Sequence, residues 1–241
     1  MGPILLAWLT SLAVLVFEKD LGTSLLFFGL FVAMLYVATE RRSWIAIGLG
    51  LFFSGCYLAY LLFPNFQNRV TLWLDPFAPG LSDQVARSLM GLAFGGLTGT
   101  GLGRGYPTFN YAEANSDFIM SSFGEELGLV GLTAMIALFA IIVERGLRIA
   151  IACRDGFGKL LATGLAFSIC LQCFVVLGGI TRVIPLTGLT TPFLSAGGSS
   201  LLANWAIIAL LLRISDQARR PAVTEAKPTL GSDDTQVVKI R

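Results

Sequence analysis

The chain has 241 residues, of which 55% are hydrophobic and only 13% are charged, and its net charge is +2. Soluble domains carry about 25% charged residues, so most of this chain is expected to lie in a membrane, and the small net charge gives no indication of nucleic-acid binding. The sequence contains no histidine, which excludes Ser-His-Asp triads and histidine-ligated zinc and leaves carboxylates, Lys, Tyr or water to move protons.

Six apolar runs predict an all-α fold, a polytopic integral membrane helical bundle. A hydrocarbon core of about 30 Å is crossed by roughly 20 helical residues. The first run lacks the basic segment and the Ala-x-Ala site of a signal peptide, so it is counted as a span. The predicted spans are 4–17, 21–38, 44–63, 120–143, 160–181 and 195–214, within a membrane domain over residues 1–214.

Positive charge predicts the orientation of these spans, because cytoplasmic loops are enriched in Lys and Arg. With the C-terminus in the cytoplasm, twelve of the 17 Lys and Arg residues fall on the cytoplasmic side and five fall outside. Residues 64–119 then form a large extracytoplasmic loop. Residues 215–241 are polar and contain proline, which predicts a disordered cytoplasmic tail.

The extracytoplasmic loop is predicted to contain short helices. Apolar residues recur at helical spacing over 85–97, a stretch too short to cross the membrane and typical of an interfacial or re-entrant helix. A glycine cluster follows at 96–105. It has neither a preceding strand nor a Gly-Lys-Ser/Thr motif, so backbone flexibility or close approach to a ligand is favoured over nucleotide binding.

Four carboxylates, those of Glu113, Asp117, Glu125 and Glu126, precede the fourth span. Asp117 lies where a polar loop becomes apolar, and partial desolvation raises the pKa of a carboxylate towards that of a base working at neutral pH. In a chain without histidine it is the leading candidate proton acceptor, although it could instead cap the next helix. Ser122 and Glu125 match a capping box, and Glu125 and Glu126 suit the positive end of a helix dipole.

Prolines and glycines interrupt the apolar pattern between the last two spans, over residues 181–200. Unwound backbone at membrane depth is tolerated where it lines a cavity or is buried in protein, and the hydroxyl groups here could contact a polar headgroup. Close packing of helices through small residues is the alternative. At the outer end of the first span, Lys19 and Asp20 are expected to take part in a structural salt bridge.

Taken together, these segments resemble the FtsW/RodA/SpoVE (SEDS) family of bacterial membrane proteins, and its actinobacterial members in particular. Whole members carry more spans than this chain, which is therefore expected to lack an N-terminal part. The family commonly has His where this chain has Asn115, and Tyr where it has Ala196. The matching segments are KDLGTSLL (19–26), RVTLWLDPF (69–77), SLMGLAFGGLTGTGLG (88–103), EANSDFI (113–119) and GITRVIPLTGLTTPFLSAGGSS (179–200).

The resemblance implies a peptidoglycan glycosyltransferase of division, elongation or cell-shape control. Such an enzyme polymerises lipid II and its undecaprenyl-linked glycan outside the bacterial cytoplasmic membrane, beside a class B penicillin-binding protein. Asp117 matches the family's essential carboxylate. It would accept the proton of a GlcNAc 4-hydroxyl as that oxygen attacks the anomeric carbon of MurNAc, and undecaprenyl diphosphate would leave with inversion.

Further residues are expected to contact the substrate or to support the site. The diphosphate could be steadied by Arg69, by Arg104 or by a divalent cation. Lys19, Asp20, Glu125 and Glu126 are the expected supporting residues. The expected substrate-binding residues are Arg69, Gln84, Ser88, Arg104, Glu113, Asn115, Thr191, Ser195, Gly197, Gly198 and Ser199.

Two other functions stay open from sequence. One is a flippase or transporter of a lipid-linked precursor, and the other is an inactive interaction partner. A flippase is expected to carry charges along its translocation path, whereas the spans here are nearly free of charge and the acids cluster at the outer face. That distribution favours chemistry outside the membrane.

Overall fold

The computed structural model describes residues 21–79, 81, 83–106 and 113–220, and within these ranges the secondary structure is helical, with no strand. The predicted all-α fold is confirmed. The predicted first span (4–17), Lys19, Asp20 and the tail from residue 221 lie outside the described residues. The seven helices of the described part are α1 (Leu21–Thr39), α2 (Ser43–Leu62), α3 (Pro64–Leu74), α4 (Gln84–Gly95), α5 (Ile119–Ala152), α6 (Gly156–Ile180) and α7 (Gly198–Arg219).

Five of these helices are long and apolar enough to cross a membrane, namely α1, α2, α5, α6 and α7. The chain is therefore a multi-pass membrane protein. The two short helices, α3 and α4, lie in the predicted outer loop between α2 and α5, as the sequence indicated. Pro64 occupies the first turn of α3, where its missing N–H leaves no hydrogen bond unmade.

Helices α5, α6 and α7 form the centre of the structure, with α1 packed on α6 and α4 packed on α5. Towards one end, Ala150 and Ala162 pack with Leu211 and Ile214 in a buried cluster. Gly146 faces Ala166, and a Cβ on this glycine would lie 2.7 Å from the alanine Cβ. Small residues let membrane helices approach closely in this way.

At the opposite end, a second buried cluster joins α4, α5 and α6 to the turn that carries Asp117. Val85 of α4 packs there with Phe118 and Met120 at the start of α5 and with Val176 and Ile180 of α6. Burial of each large apolar side chain stabilises such a contact by about 1.5–3 kcal/mol relative to exposure to water. This cluster is the support on which the candidate site is built.

Helix α5 is interrupted at Gly128, whose φ of 68° and ψ of −169° are not helical. The break removes regular i to i−4 bonds from two amides and two carbonyls, and all four groups pair instead with residues 96–101, here called the pairing segment. The bonds are Leu129 N–H to Gly96 O (2.9 Å), Val130 N–H to Leu97 O (3.1 Å), Thr100 N–H to Glu125 O (3.0 Å) and Gly101 N–H to Glu126 O (2.9 Å).

Glycines make this backbone contact sterically feasible. A Cβ on Gly128 would overlap the backbone nitrogen of Gly99, and a Cβ on Gly99 would overlap the carbonyl of Glu126. Both residues have positive φ, at 68° and 80°, a conformation that glycine adopts without strain. The glycine cluster of the outer loop thus serves close approach to another backbone segment.

Two helix ends extend beyond the predicted spans. Helix α5 continues to Ala152, past the predicted end at 143. Helix α7 continues to Arg219, so residues 215–219, predicted as the start of the disordered tail, are helical. Charged pairs on exposed surfaces support both extensions, Arg148 with Glu144 and Arg220 with Asp216, because such i, i+4 pairs stabilise helices without apolar burial.

Replacing Asp155 with Ala is expected to weaken the start of α6. Asp155 is the N-cap, and its carboxylate accepts a hydrogen bond of 2.6 Å from the Gly158 N–H. Loss of an N-cap costs about 1 kcal/mol, whereas Asn retains the acceptor. Hydrogen exchange of the first turn of α6 is therefore expected to accelerate in Asp155→Ala and to stay near wild type in Asp155→Asn. Equal acceleration in both variants would contradict the capping role.

Candidate active site

Asp117 lies in the turn 113–118, here called the Asp117 turn, directly before α5. Its neighbour Phe118 is 1% exposed and packs in the cluster with Val85 and Ile180, whereas Asp117 itself is partly exposed. The apolar side chain therefore anchors the turn in the core. The carboxylate is held at the edge of that core.

The guanidinium of Arg69 and the carboxylate of Asp117 both lie beside the same glycine, Gly188. A Cβ on Gly188 would lie 3.5 Å from Asp117 Oδ2 and 3.8 Å from Arg69 Nη2. Arg69 Nη1 also donates a 2.8 Å hydrogen bond to the carbonyl of Leu186. A short helix, a turn and an irregular segment, all distant in sequence, thus meet around one residue with a φ of 77°.

The irregular segment is the backbone between α6 and α7, residues 181–197, which the sequence predicted to be broken. Two hydrogen bonds join it to the Asp117 turn. Ser195 Oγ donates to the Ser116 carbonyl at 2.7 Å, and Ala196 N–H donates to the Asn115 carbonyl at 2.8 Å. Within the irregular segment, Thr191 N–H donates to Ser195 Oγ at 2.7 Å. The two residues directly before Asp117 are therefore held by the irregular segment.

Polar contacts from the neighbouring helices also hold the irregular segment and the Asp117 turn. On the side of α6, the Gln172 amide donates to the Thr190 carbonyl at 2.8 Å. On the side of α5, Ser122 Oγ donates to the Ala114 carbonyl at 3.0 Å. Hydrogen bonds from side chains to otherwise unpaired backbone are what an irregular segment needs where water is scarce. The Asp117 turn and the irregular segment therefore form one fixed unit.

The remaining predicted site residues fall into two groups. Glu113 is exposed and accepts a hydrogen bond from Ser116 Oγ, and Arg104 is exposed in the turn that follows Gly101. Several others are enclosed or lie at helix starts: Ser88 (0% exposed), Thr191 and Ser195 are buried, Gln84 begins α4, Gly197 is the N-cap of α7, and Gly198 and Ser199 begin that helix. Their contact with substrate stays a prediction, and Ser88, Thr191 and Ser195 would need their surroundings to open.

The predicted capping box of Ser122 and Glu125 is not formed. Helix α5 begins at Ile119, three residues before Ser122, so Ser122 lies inside the first turn and its hydroxyl bonds back to carbonyls of the preceding turn. Glu125 is buried and its Oε1 accepts a 2.9 Å hydrogen bond from the Tyr106 N–H. Glu125 therefore supports the end of the glycine-rich loop and not the start of α5. Glu126 offers its carbonyl to the pairing segment.

Replacing Glu125 with Ala is expected to loosen residues 99–106. The change removes the acceptor of the Tyr106 N–H and leaves space beside Gly105, and a hydrogen bond contributes about 0.5–1.5 kcal/mol net. Gln keeps an acceptor oxygen and nearly the same volume, so Glu125→Gln is the matched control. Hydrogen exchange over 99–106 is expected to rise in Glu125→Ala and to change little in Glu125→Gln. Unchanged exchange in both variants would exclude Glu125 as the anchor of this loop.

Sequence reasoning missed Arg182 as a site residue and used Gly188 only as one of several helix breakers. Arg182 lies in the irregular segment and bonds to the end of α3, the helix that carries Arg69. The available signal was a cation placed directly after a long apolar run. In the sequence, this positive charge contributed only to the predicted orientation of the spans.

In the part of the chain that the structure describes, no three Asp, Glu or Cys side chains converge as they would around a metal ion. The site as described offers the carboxylate of Asp117 and the guanidinium of Arg69, both within 4 Å of the Cβ position of Gly188. That a divalent cation steadies the diphosphate therefore stays a prediction from the sequence.

A family model for cell cycle proteins of the FtsW/RodA/SpoVE type matches residues 1–220 of this chain. Among similar proteins, the peptidoglycan glycosyltransferase RodA of Mycobacterium tuberculosis (strain ATCC 25618 / H37Rv) is 52% identical over 99% of this chain and 52% of its own length. Stage V sporulation protein E of Bacillus subtilis (strain 168) is 36% identical over 87% of this chain and 58% of its own length. The chain spans about half the length of the mycobacterial relatives that it matches.

Two solved structures share this architecture. One comes from work on the structural coordination of polymerization and crosslinking by a peptidoglycan synthase complex, with a TM-score of 0.71, 28% identity, and coverage of 88% of this chain and 60% of that chain. The other is an Asp-to-Ala mutant of the Thermus thermophilus rod shape determining protein RodA, with a TM-score of 0.57, 24% identity, and coverage of 88% and 55%. The second likeness concerns the fold alone.

Proposed function

The chain belongs to the FtsW/RodA/SpoVE family, and we propose that it carries the catalytic base of a peptidoglycan glycosyltransferase that polymerises lipid II. The observation that carries this proposal is the placement of the Asp117 carboxylate and the Arg69 guanidinium together, both within 4 Å of the Cβ position of Gly188. A carboxylate can accept a proton, and a guanidinium can stabilise a developing anion. Both groups are needed when an alcohol displaces a diphosphate.

In the proposed reaction, Asp117 accepts the proton of a GlcNAc 4-hydroxyl. The oxygen of that hydroxyl forms a bond to the anomeric carbon of MurNAc on a second lipid-linked chain. The bond from this carbon to the diphosphate oxygen breaks, and undecaprenyl diphosphate leaves with the electron pair. Because one displacement occurs at the carbon, its configuration inverts.

Arg69 is proposed to face the negative charge that develops on the departing diphosphate. One of its nitrogens is already bonded to the Leu186 carbonyl, and guanidinium retains further donors in a fixed planar arrangement. Such charge-assisted bonds to phosphate oxygens are strong and directional. Arg104, exposed at the glycine-rich loop, is the second candidate for this role.

The rigidity of the Asp117 turn supports a role in catalysis. Its carbonyls at Asn115 and Ser116 are bonded to the irregular segment, and Phe118 is buried in the core. A base held in one position gains from proximity to the bound hydroxyl without reorganisation during the reaction. A surface residue that only keeps a loop soluble does not need to be held in one position.

We further propose that the Asp117 side of the protein faces away from the cytoplasm, that the C-terminus lies in the cytoplasm, and that the partner is a class B penicillin-binding protein. The distribution of Lys and Arg supports the orientation. The partner is suggested by the likeness to a solved peptidoglycan synthase complex that couples polymerization with crosslinking. The membrane would be the bacterial cytoplasmic membrane.

The proposal is tested with purified protein in liposomes that contain lipid II. The chain is assayed alone and together with the remaining part of the mycobacterial relative, and glycan products are separated by gel electrophoresis. A ladder of glycan strands is expected in at least the second arm. If lipid II stays monomeric in both arms while the intact mycobacterial relative polymerises it, the proposed activity is excluded for this chain.

A further inference from the structure

Arg182 has a left-handed backbone conformation, with a φ of 60°. It directly follows Thr181, the C-cap of α6, and two bonds complete the turn: Val183 N–H to the Gly178 carbonyl at 2.8 Å and Arg182 N–H to the Gly179 carbonyl at 3.4 Å. This pattern is a Schellman motif, in which glycine is strongly favoured at the left-handed position. Arginine is strained there, so its side chain is expected to make compensating contacts.

The Arg182 side chain reaches the C-terminal end of α3. Its Nη2 donates to the carbonyls of Trp73 at 2.8 Å and of Leu74 at 2.9 Å, and its Nε donates to the Trp73 carbonyl at 3.1 Å. The last carbonyls of a helix lack partners within the helix, and a cation is favourable beside them. In return, the indole N–H of Trp73 donates to the Arg182 carbonyl at 2.9 Å. We call these four bonds the Arg182–Trp73 lock.

The lock lies one helical turn from Arg69. Arg69 and Trp73 are four residues apart on α3 and therefore share a face. Their partners in the irregular segment, Leu186 and Arg182, are also four residues apart. Helix α3 thus meets this segment through two contacts, and Asp117 lies beside the one made by Arg69.

None of the residues of α3 is fully buried, although Val70, Leu72 and Trp73 are half-buried. Leu72 and Trp73 line a small cavity with Ile184 and Leu186, with a volume of about 40 Å³. Polar bonds therefore add to limited apolar packing in setting the position of α3, and with it the position of Arg69. The Arg182–Trp73 lock supplies four of them.

We propose that the Arg182–Trp73 lock sets the position of Arg69 relative to Asp117, which makes Arg182 and Trp73 positioning residues for glycosyl transfer. This inference rests on the proposed function for its kinetic consequence. Its structural part, the attachment of α3 to the irregular segment, does not depend on that function. The two parts are therefore measured separately.

The kinetic test compares Arg182→Gly with Arg182→Lys in the liposome assay in which the wild-type protein polymerises lipid II. Arg182→Gly removes the backbone strain of the turn but also removes three side-chain hydrogen bonds. Arg182→Lys keeps the positive charge and the backbone strain but lacks the planar set of guanidinium donors. If Arg182 served only the turn, the rate in the Gly variant would equal or exceed that of wild type. The lock instead predicts rates in the order Arg, Lys, Gly, with a loss of about tenfold in Arg182→Gly, as expected for displacement of a charge-assisted contact.

An Arg69→Gln background separates positioning from general damage. If Arg182 acts through Arg69, then Arg182→Gly should lower the rate less than about twofold once Arg69 is gone, because the two effects are not additive. A full tenfold loss in that background would overturn the proposal. So would a wild-type rate for Arg182→Gly in the otherwise unchanged protein.

Hydrogen exchange tests the lock without lipid II. Amides of residues 64–74 are expected to exchange faster in Arg182→Gly and Trp73→Phe, while those of the Asp117 turn stay protected. Unchanged exchange over 64–74 in Arg182→Gly would overturn the lock whatever the rate. Failure of the wild-type protein to polymerise lipid II would instead exclude the proposed function, and exchange would still decide whether the lock holds α3.

Discussion

Replacing Asp117 with Asn is expected to reduce lipid II polymerisation by a factor of about 10²–10⁴, the contribution of a general base. Asn has nearly the same size but cannot accept the proton of the attacking hydroxyl. The bonds that hold the turn use the carbonyls of Asn115 and Ser116, so the fold should persist. Glycan length and initial rate are measured in the liposome assay in which wild type forms glycan strands, and membrane insertion is checked by fractionation.

Asp83→Asn is the matched control for this experiment. It removes a carboxylate from the same outer loop, but that carboxylate is exposed and paired with Arg87. A change within about twofold of wild type is expected, since exposed polar groups away from the reacting atoms contribute little. Polymerisation at a normal rate by Asp117→Asn, or an equal loss in both variants, would remove Asp117 from the mechanism.

The sequence was sufficient to predict the fold class and most of the helices, because hydrophobic runs long enough to cross a membrane have few alternatives. Helix ends were predicted less well. Past residue 143 the sequence becomes charged, and a hydropathy pattern ends there, but α5 continues through Glu144 and Arg148, which pair on its surface. The part of a helix that extends into water cannot be predicted from the length of an apolar run.

Within the candidate site, the transition from polar loop to apolar wall pointed to Asp117. The proximity of Arg69 could not be predicted, because it depends on how α3 docks on a segment more than a hundred residues later. The capping box was predicted from a matching spacing, but the helix begins four residues earlier than a motif with Ser122 as the N-cap requires. The left-handed conformation of Arg182 could not be predicted, because positive φ at a non-glycine residue has no marker in the sequence.

The break in α5 matters for the site because it joins the glycine-rich loop to the helix that follows Asp117. The pairing segment makes four backbone bonds at the break, and Glu125 lies beside it and anchors Tyr106. The Asp117 turn and the exposed Arg104 are thereby attached to the same part of α5. Loss of the pairing segment should therefore disturb both sides of the proposed substrate site.

Replacing Gly128 with Ala is expected to destabilise the protein by about 3 kcal/mol or more. Part of the cost is the positive φ of 68°, at about 1–3 kcal/mol for a non-glycine residue. The larger part is the overlap of the new Cβ with the backbone of Gly99 and Leu97, which pushes the pairing segment away and breaks bonds worth about 0.5–1.5 kcal/mol each. The apparent Tm is measured by circular dichroism in detergent, and a decrease of roughly 6–12 °C is expected for a domain of this size.

Two other Gly→Ala changes separate the causes of this effect. Gly103 has a φ of 71° but open space around its Cβ position, so Gly103→Ala carries only the strain of the backbone. Gly50 lies inside α2 with no atom within 4 Å of a Cβ, so Gly50→Ala is expected to be neutral or stabilising by up to about 1 kcal/mol. The Tm should therefore decrease from Gly50→Ala to Gly103→Ala and again to Gly128→Ala. If Gly128→Ala unfolds no earlier than Gly103→Ala, steric contact with the pairing segment does not stabilise the break in α5.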